Sequence, residues 1–301
     1  MAVSEPSDSA TSAPVRAGAG GEGVATRPEI VYRHTLLVRA THWFNALCLV
    51  LLLLSGLRIF NYHPALYWGN YGYRGVPSVL AIGSIVDPAT GARVGITRVG
   101  STSFTTTGVL GVSYDLDGDV ERSAFPTWLT MPVDLGRARD WHFLMAWLLV
   151  ANGALYLLYG LFSGHLHRDL APAADQLRPR HILGDVCDHL RLRAPRGEAA
   201  RRYSVLQKLT YLTVIFVLLP LMLLSGLTMS PGVTTVLPGL FDLFGGRQSA
   251  RTIHFLVAGL LVLFVLVHVF EVFVAGVVSG MRSMITGRYV IKPAIKPQGG
   301  S

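Results

Sequence analysis

Apolar and polar positions divide this chain into long blocks. Four of them, residues 40–60, 141–162, 205–229 and 253–278, are apolar almost throughout. A helix needs about 20 such residues to cross the hydrocarbon core of a bilayer, so each block reads as a membrane-spanning helix. Pro220 lies inside the third, where a kink is tolerated if neighbours take up the freed carbonyl. Residues 1–32 are rich in Ala, Ser, Gly and Pro and read as a disordered tail. They lack the short apolar core and small-residue site of a cleavable signal peptide. Residues 291–301 read as a second tail.

The segment 61–140 has a pattern of its own. Short apolar runs at 79–85, 92–99 and 104–114 are separated by Gly, Pro and Asp, which predicts strands and turns. Asp115, Asp117 and Asp119 surround Gly118. The rest of a calcium loop is missing, so a plain acidic turn is the preferred reading. The expected fold is all-α and membrane-embedded. A four-transmembrane-helix bundle occupies 33–290, with a small β-rich outer loop, 61–140, between helices 1 and 2.

The chain also repeats itself. Residues 51–57 read LLLLSGL and residues 221–227 read LMLLSGL. The pattern Arg139-x-x-His142-Phe143-Leu144-x-Ala146 returns as Arg251-x-x-His254-Phe255-Leu256-x-Ala258. Helix 1 therefore matches helix 3, and helix 2 matches helix 4, as two copies of one helical hairpin would.

Charge orients the bundle. Hydrophobic residues make up 51% of the 301 positions, yet the net charge is +8. A nucleic-acid binder would need its cations on one solvated face. Here the excess sits in 163–204, with eight Arg, and in the tail from 279, with four Lys or Arg. The positive-inside rule places 163–204 and both termini in the cytoplasm, with 61–140 and 230–252 outside. Tyr62, Tyr67, Trp68, Tyr71 and Tyr73 cluster where helix 1 exits, as an interfacial belt does. The partner implied so far is the lipid bilayer, and no nucleic acid. The two cysteines, Cys48 and Cys187, form neither a zinc spacing nor a haem-attachment motif. Any haem would be held by coordination alone.

Four histidines fall within the spans: His42, His142, His254 and His268. Ionisable side chains inside a bilayer are costly and mark functional sites. His254 and His268 are 14 residues apart, about 40° short of four turns and about 21 Å along the axis. One face of helix 4 thus carries a histidine near each membrane surface. Helix 2 offers His142 at the outer level, and helix 1 offers His42 at the inner level. Two opposed imidazoles at one depth suit a six-coordinate haem iron. The spacing pairs His142 with His254 for an outer haem b, and His42 with His268 for an inner one. Zinc is disfavoured because no third ligand stands at either level, Glu271 one turn past His268 excepted.

Small and cationic residues accompany the histidines. Gly56 follows His42 by 14 residues and Gly160 follows His142 by 18, so each shares its histidine's face at the opposite haem level. Either makes room for a porphyrin, or both serve helix packing. Arg39, Arg139 and Arg251 each precede a histidine by three. They stand at headgroup level, suited to a haem propionate or to plain snorkelling.

With these residues in place, the chain resembles the prokaryotic cytochrome b561-type di-haem membrane subunits, including those of nickel–iron hydrogenase and formate dehydrogenase. The motifs are Arg39-x-x-His42-Trp43, Arg139-x-x-His142, and His254 with His268 on the last helix. The resemblance spans about 33–290. Segments 245–255 and 281–289 look most like members that accompany molybdopterin-dependent oxidoreductases. It implies two haems b in a multi-pass protein of the bacterial plasma (inner) membrane. It further implies electron passage between a periplasmic oxidoreductase and the membrane quinone. The 80-residue outer segment is longer than in the smallest members, which favours a docked outer partner. A stand-alone quinone-reducing cytochrome b, such as a superoxide oxidase, and a haem-free anchor are the alternative readings.

Quinone chemistry needs protons. Glu271 follows His268 by three residues, and Lys208 lies at similar depth in helix 3. The two read either as a proton relay beside the inner haem or, preferably, as a structural ion pair.

Overall fold

The computed structural model describes residues 29–291 except 33, 74, 116, 165, 167–169 and 192–203. Strand β1 (Glu29–Tyr32) leads into helix α1 (Leu36–Tyr62), which starts at Thr35, whose Oγ1 accepts from the Val38 amide. A cap follows: β2 (Ala65–Leu66), β3 (Leu80–Val86), β4 (Arg93–Val99), β5 (Thr102–Thr105), β6 (Ser113–Tyr114) and β7 (Val120–Glu121). Helix α2 (Leu135–Phe162) is capped by Asp134. Short α3 (Pro179–Leu190) precedes a composite span of α4 (Val205–Thr213), a π turn (Val214–Leu218) and α5 (Leu219–Met229). Helices α6 (Pro231–Val236) and α7 (Gly239–Phe244) turn the chain into α8 (Arg247–Thr286), and β8 (Arg288–Ile291) closes it.

Four segments are long and apolar enough to span a bilayer: Leu36–Tyr62, Leu135–Phe162, Val205–Met229 and Arg247–Val274, with mean hydropathy from 1.7 to 2.7. Leu47, Leu155, Phe216 and Leu263 are exposed on them, the apolar surface that lipid would cover. The repeat is visible in the packing: α1 lies against α2, α5 lies against α8, and α8 reaches across to α1. Pro220 has no amide to donate. The π turn directly before α5 takes up the mismatch there. Helix α8 breaks at Gly276, whose φ of 109° and ψ of 100° leave the helical region. Such a φ is open to glycine and strained for other residues.

The cap is a four-stranded antiparallel sheet, β2-β3-β4-β5, plus the β6-β7 ladder. The first two runs expected as strands appear within a residue of their predicted limits. The third, 104–114, is two separate strands. Gly111 (φ 77°) lies so close to the Gly83 carbonyl that a Cβ there would stand 2.1 Å from its oxygen. A glycine-dependent loop thus folds 106–112 back over the sheet and interrupts the strand. Asp115 accepts from the Asp117 and Asp119 amides at 3.0 and 2.8 Å, a self-contained acidic turn.

The cap is fastened to two helix ends. Phe60 near the end of α1 stacks on Phe255 of α8 at 4.7 Å and packs edge-on against Phe125 at 5.7 Å. Asn61 exchanges a pair of hydrogen bonds with the Phe125 backbone. The first turns of α8 hold 63–69: Arg251 donates to the His63 and Ala65 carbonyls, Thr252 to the Tyr67 carbonyl, and Ser249 accepts from the Gly69 amide.

At the far end of the bundle, β1 pairs antiparallel with β8, from Glu29 opposite Ile291 to Tyr32 opposite Arg288. The tail expected to be disordered through 32 is therefore a strand over its last four residues. Ile30, Val31 and Tyr32 have high strand propensity, and a partner brought by α8 supplies their hydrogen bonds. Residues 1–28 and 292–301 lie outside the described residues. Of the Arg-rich segment 163–204, residues 179–190 form α3.

Candidate haem-ligand pairs

Helices α1, α2 and α8 bring the four intramembrane histidines together in two couples. His142 of α2 faces His254 of α8, with ring centroids 6.3 Å apart and planes inclined by 56°. His42 of α1 faces His268 of α8 at 6.2 Å and 58°. The first couple lies toward the cap and the second toward the β1–β8 end. Both levels are set by α8, whose two histidines fall on one face by helical period alone.

The two copies of the Ser-Gly motif hold the cap-side couple. Ser55 Oγ lies 3.0 Å from His142 Nδ1, and Ser225 Oγ lies 3.0 Å from His254 Nδ1. Each hydroxyl donates its own proton one turn back, to the Leu51 carbonyl at 2.6 Å and to the Leu221 carbonyl at 2.7 Å. The following glycines clear space for the rings. A Cβ on Gly56 would stand 3.4 Å from His142 Cε1, and one on Gly226 would stand 3.3 Å from His254 Cε1. The sequence spacing does not single out Ser55, Ser225 and Gly226; their signal is the LLLLSGL/LMLLSGL repeat, each copy of which presents a Ser-Gly pair to a histidine.

Other candidates are placed as follows. Arg39 Nη1 donates to the Ile285 carbonyl, and neighbouring Trp43 Nε1 donates to the Met284 carbonyl at 3.1 Å. The Arg-x-x-His-Trp motif thus ties α1 to the end of α8. Arg139 is exposed at the start of α2. Arg251 serves the cap, as described. Gly160 is buried, and the side chain of Leu166 occupies the direction its Cβ would take, 2.7 Å away. Lys208 is buried and donates to the Ala171 carbonyl at 3.1 Å. Among the described residues no ion pair joins Lys208 to Glu271; the ammonium donates to a loop carbonyl instead. Glu271 lines a cavity of 150 Å³ with His268, Tyr211, Phe264, Gln207 and Thr210.

Facing imidazoles within a helical bundle are the arrangement that a b-type cytochrome, with haem held between two histidines, requires. A metal–imidazole bond of about 2 Å puts the centroids of two in-line rings about 6 Å apart. Both couples match that separation. Residues 33–287 match the model of the prokaryotic cytochrome b561 family, and the chain belongs to that family. It is accordingly a multi-pass membrane protein that binds haem b and transfers electrons. It is also similar to a protein of Azospira oryzae named a putative protein-methionine-sulfoxide reductase subunit, YedZ1. The two are 36% identical over 162 residues, which is 54% of this chain and 77% of the relative. No solved structure matches the chain.

Proposed function

We propose that this chain is the di-haem cytochrome b subunit of a periplasmic oxidoreductase, carrying electrons between that partner and the membrane quinone. The observation that carries the reading is the two facing histidine couples at two depths. His142 and His254 would hold the cap-side haem b, and His42 and His268 the far one. Haem b, when bound, supplies a one-electron iron couple at each level. The protein's residues fix the imidazoles, bury them and set the spacing along α8, about 21 Å.

Three further observations support the outward partner. The excess of Arg and Lys in 163–204 and 279–301 favours a cytoplasmic far end, and so a periplasmic cap. The cap is large and fastened to α8, the helix that carries His254 of the cap-side couple. A relative is named as a reductase subunit, and the resemblance of 245–255 and 281–289 supports a molybdopterin-dependent partner.

The quinone is proposed at the cavity beside His268. Its 150 Å³ admits a ring the size of benzene. Reducing a quinone takes two electrons and two protons, and Glu271 on the cavity wall is the group placed to hand protons over. Lys208, committed to Ala171, is the weaker relay candidate.

A reduced-minus-oxidised spectrum of the purified chain with a haem-to-protein count tests the reading. Two b-type haems per chain are expected. No b-type signal would overturn it in favour of a membrane anchor.

A further inference from the structure

The two histidine couples are not equivalent, and the difference lies in what their second ring nitrogens touch. At the cap-side couple, each Nδ1 meets a serine hydroxyl whose proton is already given to a backbone carbonyl. A hydroxyl has one proton to donate, so Ser55 and Ser225 must accept from the imidazoles. The Met222 carbonyl, 3.1 Å from His254 Nδ1, can only accept. At His254 it favours the tautomer in which Nδ1 carries the hydrogen and Nε2 keeps the lone pair. At the far couple, His42 Nδ1 is buried with no partner. His268 is flanked by Phe264, which stacks on it at 5.9 Å, by Tyr211, edge-on at 6.4 Å, and by Glu271, with which it shares a cavity.

We infer that Ser55 and Ser225 are positioning residues that lock His142 and His254 in the Nδ1–H tautomer and make both imidazoles stronger electron donors. A hydrogen bond from the far nitrogen raises the basicity of a ligating imidazole. A more basic ligand stabilises ferric iron and lowers the reduction potential, so the two serines would hold down the potential of a haem bound by this couple. This assignment rests on the di-haem reading and adds the residues that tune its cap-side site.

The device is duplicated, which makes it separable from general packing. Ser55 comes from one hairpin and Ser225 from the other, yet each acts on the histidine of its own hairpin. Each serine is also fully buried, so no water competes for its oxygen.

The test is a spectroscopic redox titration of the full-length purified protein and its S55A, S225A, S55T and S225T variants. The component lost in His142→Ala identifies the cap-side haem. In S55A and S225A its midpoint should rise while the other component stays. The threonine variants, which keep the hydroxyl, should restore it. Unchanged midpoints, or equal shifts in both components, would overturn the assignment. Loss of the cap-side haem in both alanine variants, with both threonine variants normal, would reduce the serines to assembly and overturn it too. A wild type with one b-type component would overturn the di-haem reading itself, and the assignment with it.

Discussion

His42 on α1 and His268 on α8 face each other with ring centroids 6.2 Å apart. Each stands on a different helix hairpin, so the couple bridges the two halves of the repeat. If one iron joins them, each is equally needed to hold it. His42→Ala and His268→Ala should each remove the same b-type component, and His142→Ala and His254→Ala the other. Difference spectra of the four variants check this. Loss of both components in every variant would reject independent sites.

Gly226 is expected to be as restrictive as Gly56. An added Cβ would sit 3.3 Å from His254 Cε1 at Gly226 and 3.4 Å from His142 Cε1 at Gly56. Overpacking of this kind costs about 1–3 kcal/mol. Either ring must shift away from its partner. Gly226→Ala and Gly56→Ala should lower cap-side haem content and leave the far site loaded. Haem stoichiometry in detergent reads the effect. Gly160 serves as the contrast: its missing Cβ faces Leu166, so a change there should spare the cap side.

The spans, the depth of the histidines and their pairing were legible in the sequence because each follows from a length or a helical period. A histidine every four turns on α8 needs no tertiary knowledge. The serines were not legible in that way, because whether Ser55 meets His142 depends on the rotation and height of two helices. Two features required a partner distant in sequence: β1 becomes a strand only because α8 delivers β8, and Lys208 finds Ala171 rather than Glu271. The interruption of 104–114 depends on a close approach between Gly111 and Gly83. The single-strand pattern cannot express that approach.

Arg251 joins the histidine level to the cap. Its guanidinium donates to the His63 and Ala65 carbonyls and lies 5.7 Å from the Phe60 ring. Replacing it with Met keeps the stem and takes the guanidinium from both carbonyls. The His63 carbonyl keeps the Ala65 amide at 2.8 Å, while loss of the donor to Ala65 costs about 1–3 kcal/mol if that carbonyl stays dry. Amide exchange across 63–70 should accelerate in R251M while α2 is unaffected. Equal protection in both proteins would show that the Phe60 cluster holds the cap alone.

His63 makes the same junction pH-sensitive. Partial burial, and then the nearby Arg251 charge, push its imidazole below the ordinary histidine range. A folded value below the unfolded one means that the neutral ring is preferred in the folded state. The stabilisation is present above the unfolded value, about 6.5. It is lost as pH falls through the lower folded value. Protection of 63–70 should therefore weaken on acidification below about pH 6.5. H63Q, which cannot titrate, should flatten that dependence. An unchanged profile would assign it to another group.

Glu271 separates electron transfer from proton transfer at the far end. It shares the 150 Å³ cavity with His268, one helical turn away on the same face of α8. Glu271→Gln keeps the shape and the hydrogen-bonding capacity but removes the exchangeable carboxyl proton. Both haems should load normally, and single-electron reduction of the protein should be unaltered, because neither step moves a proton at this residue. Turnover with a water-soluble quinone should fall by about tenfold or more, since positioned general acids and bases typically contribute 10²–10⁴ to a rate. Lys208→Met should have a different signature. Its ammonium holds the Ala171 carbonyl, so its loss should loosen the loop near 171 without the selective loss of quinone turnover. Unchanged turnover in E271Q would remove Glu271 from the proton path and leave the cavity without an assigned proton donor.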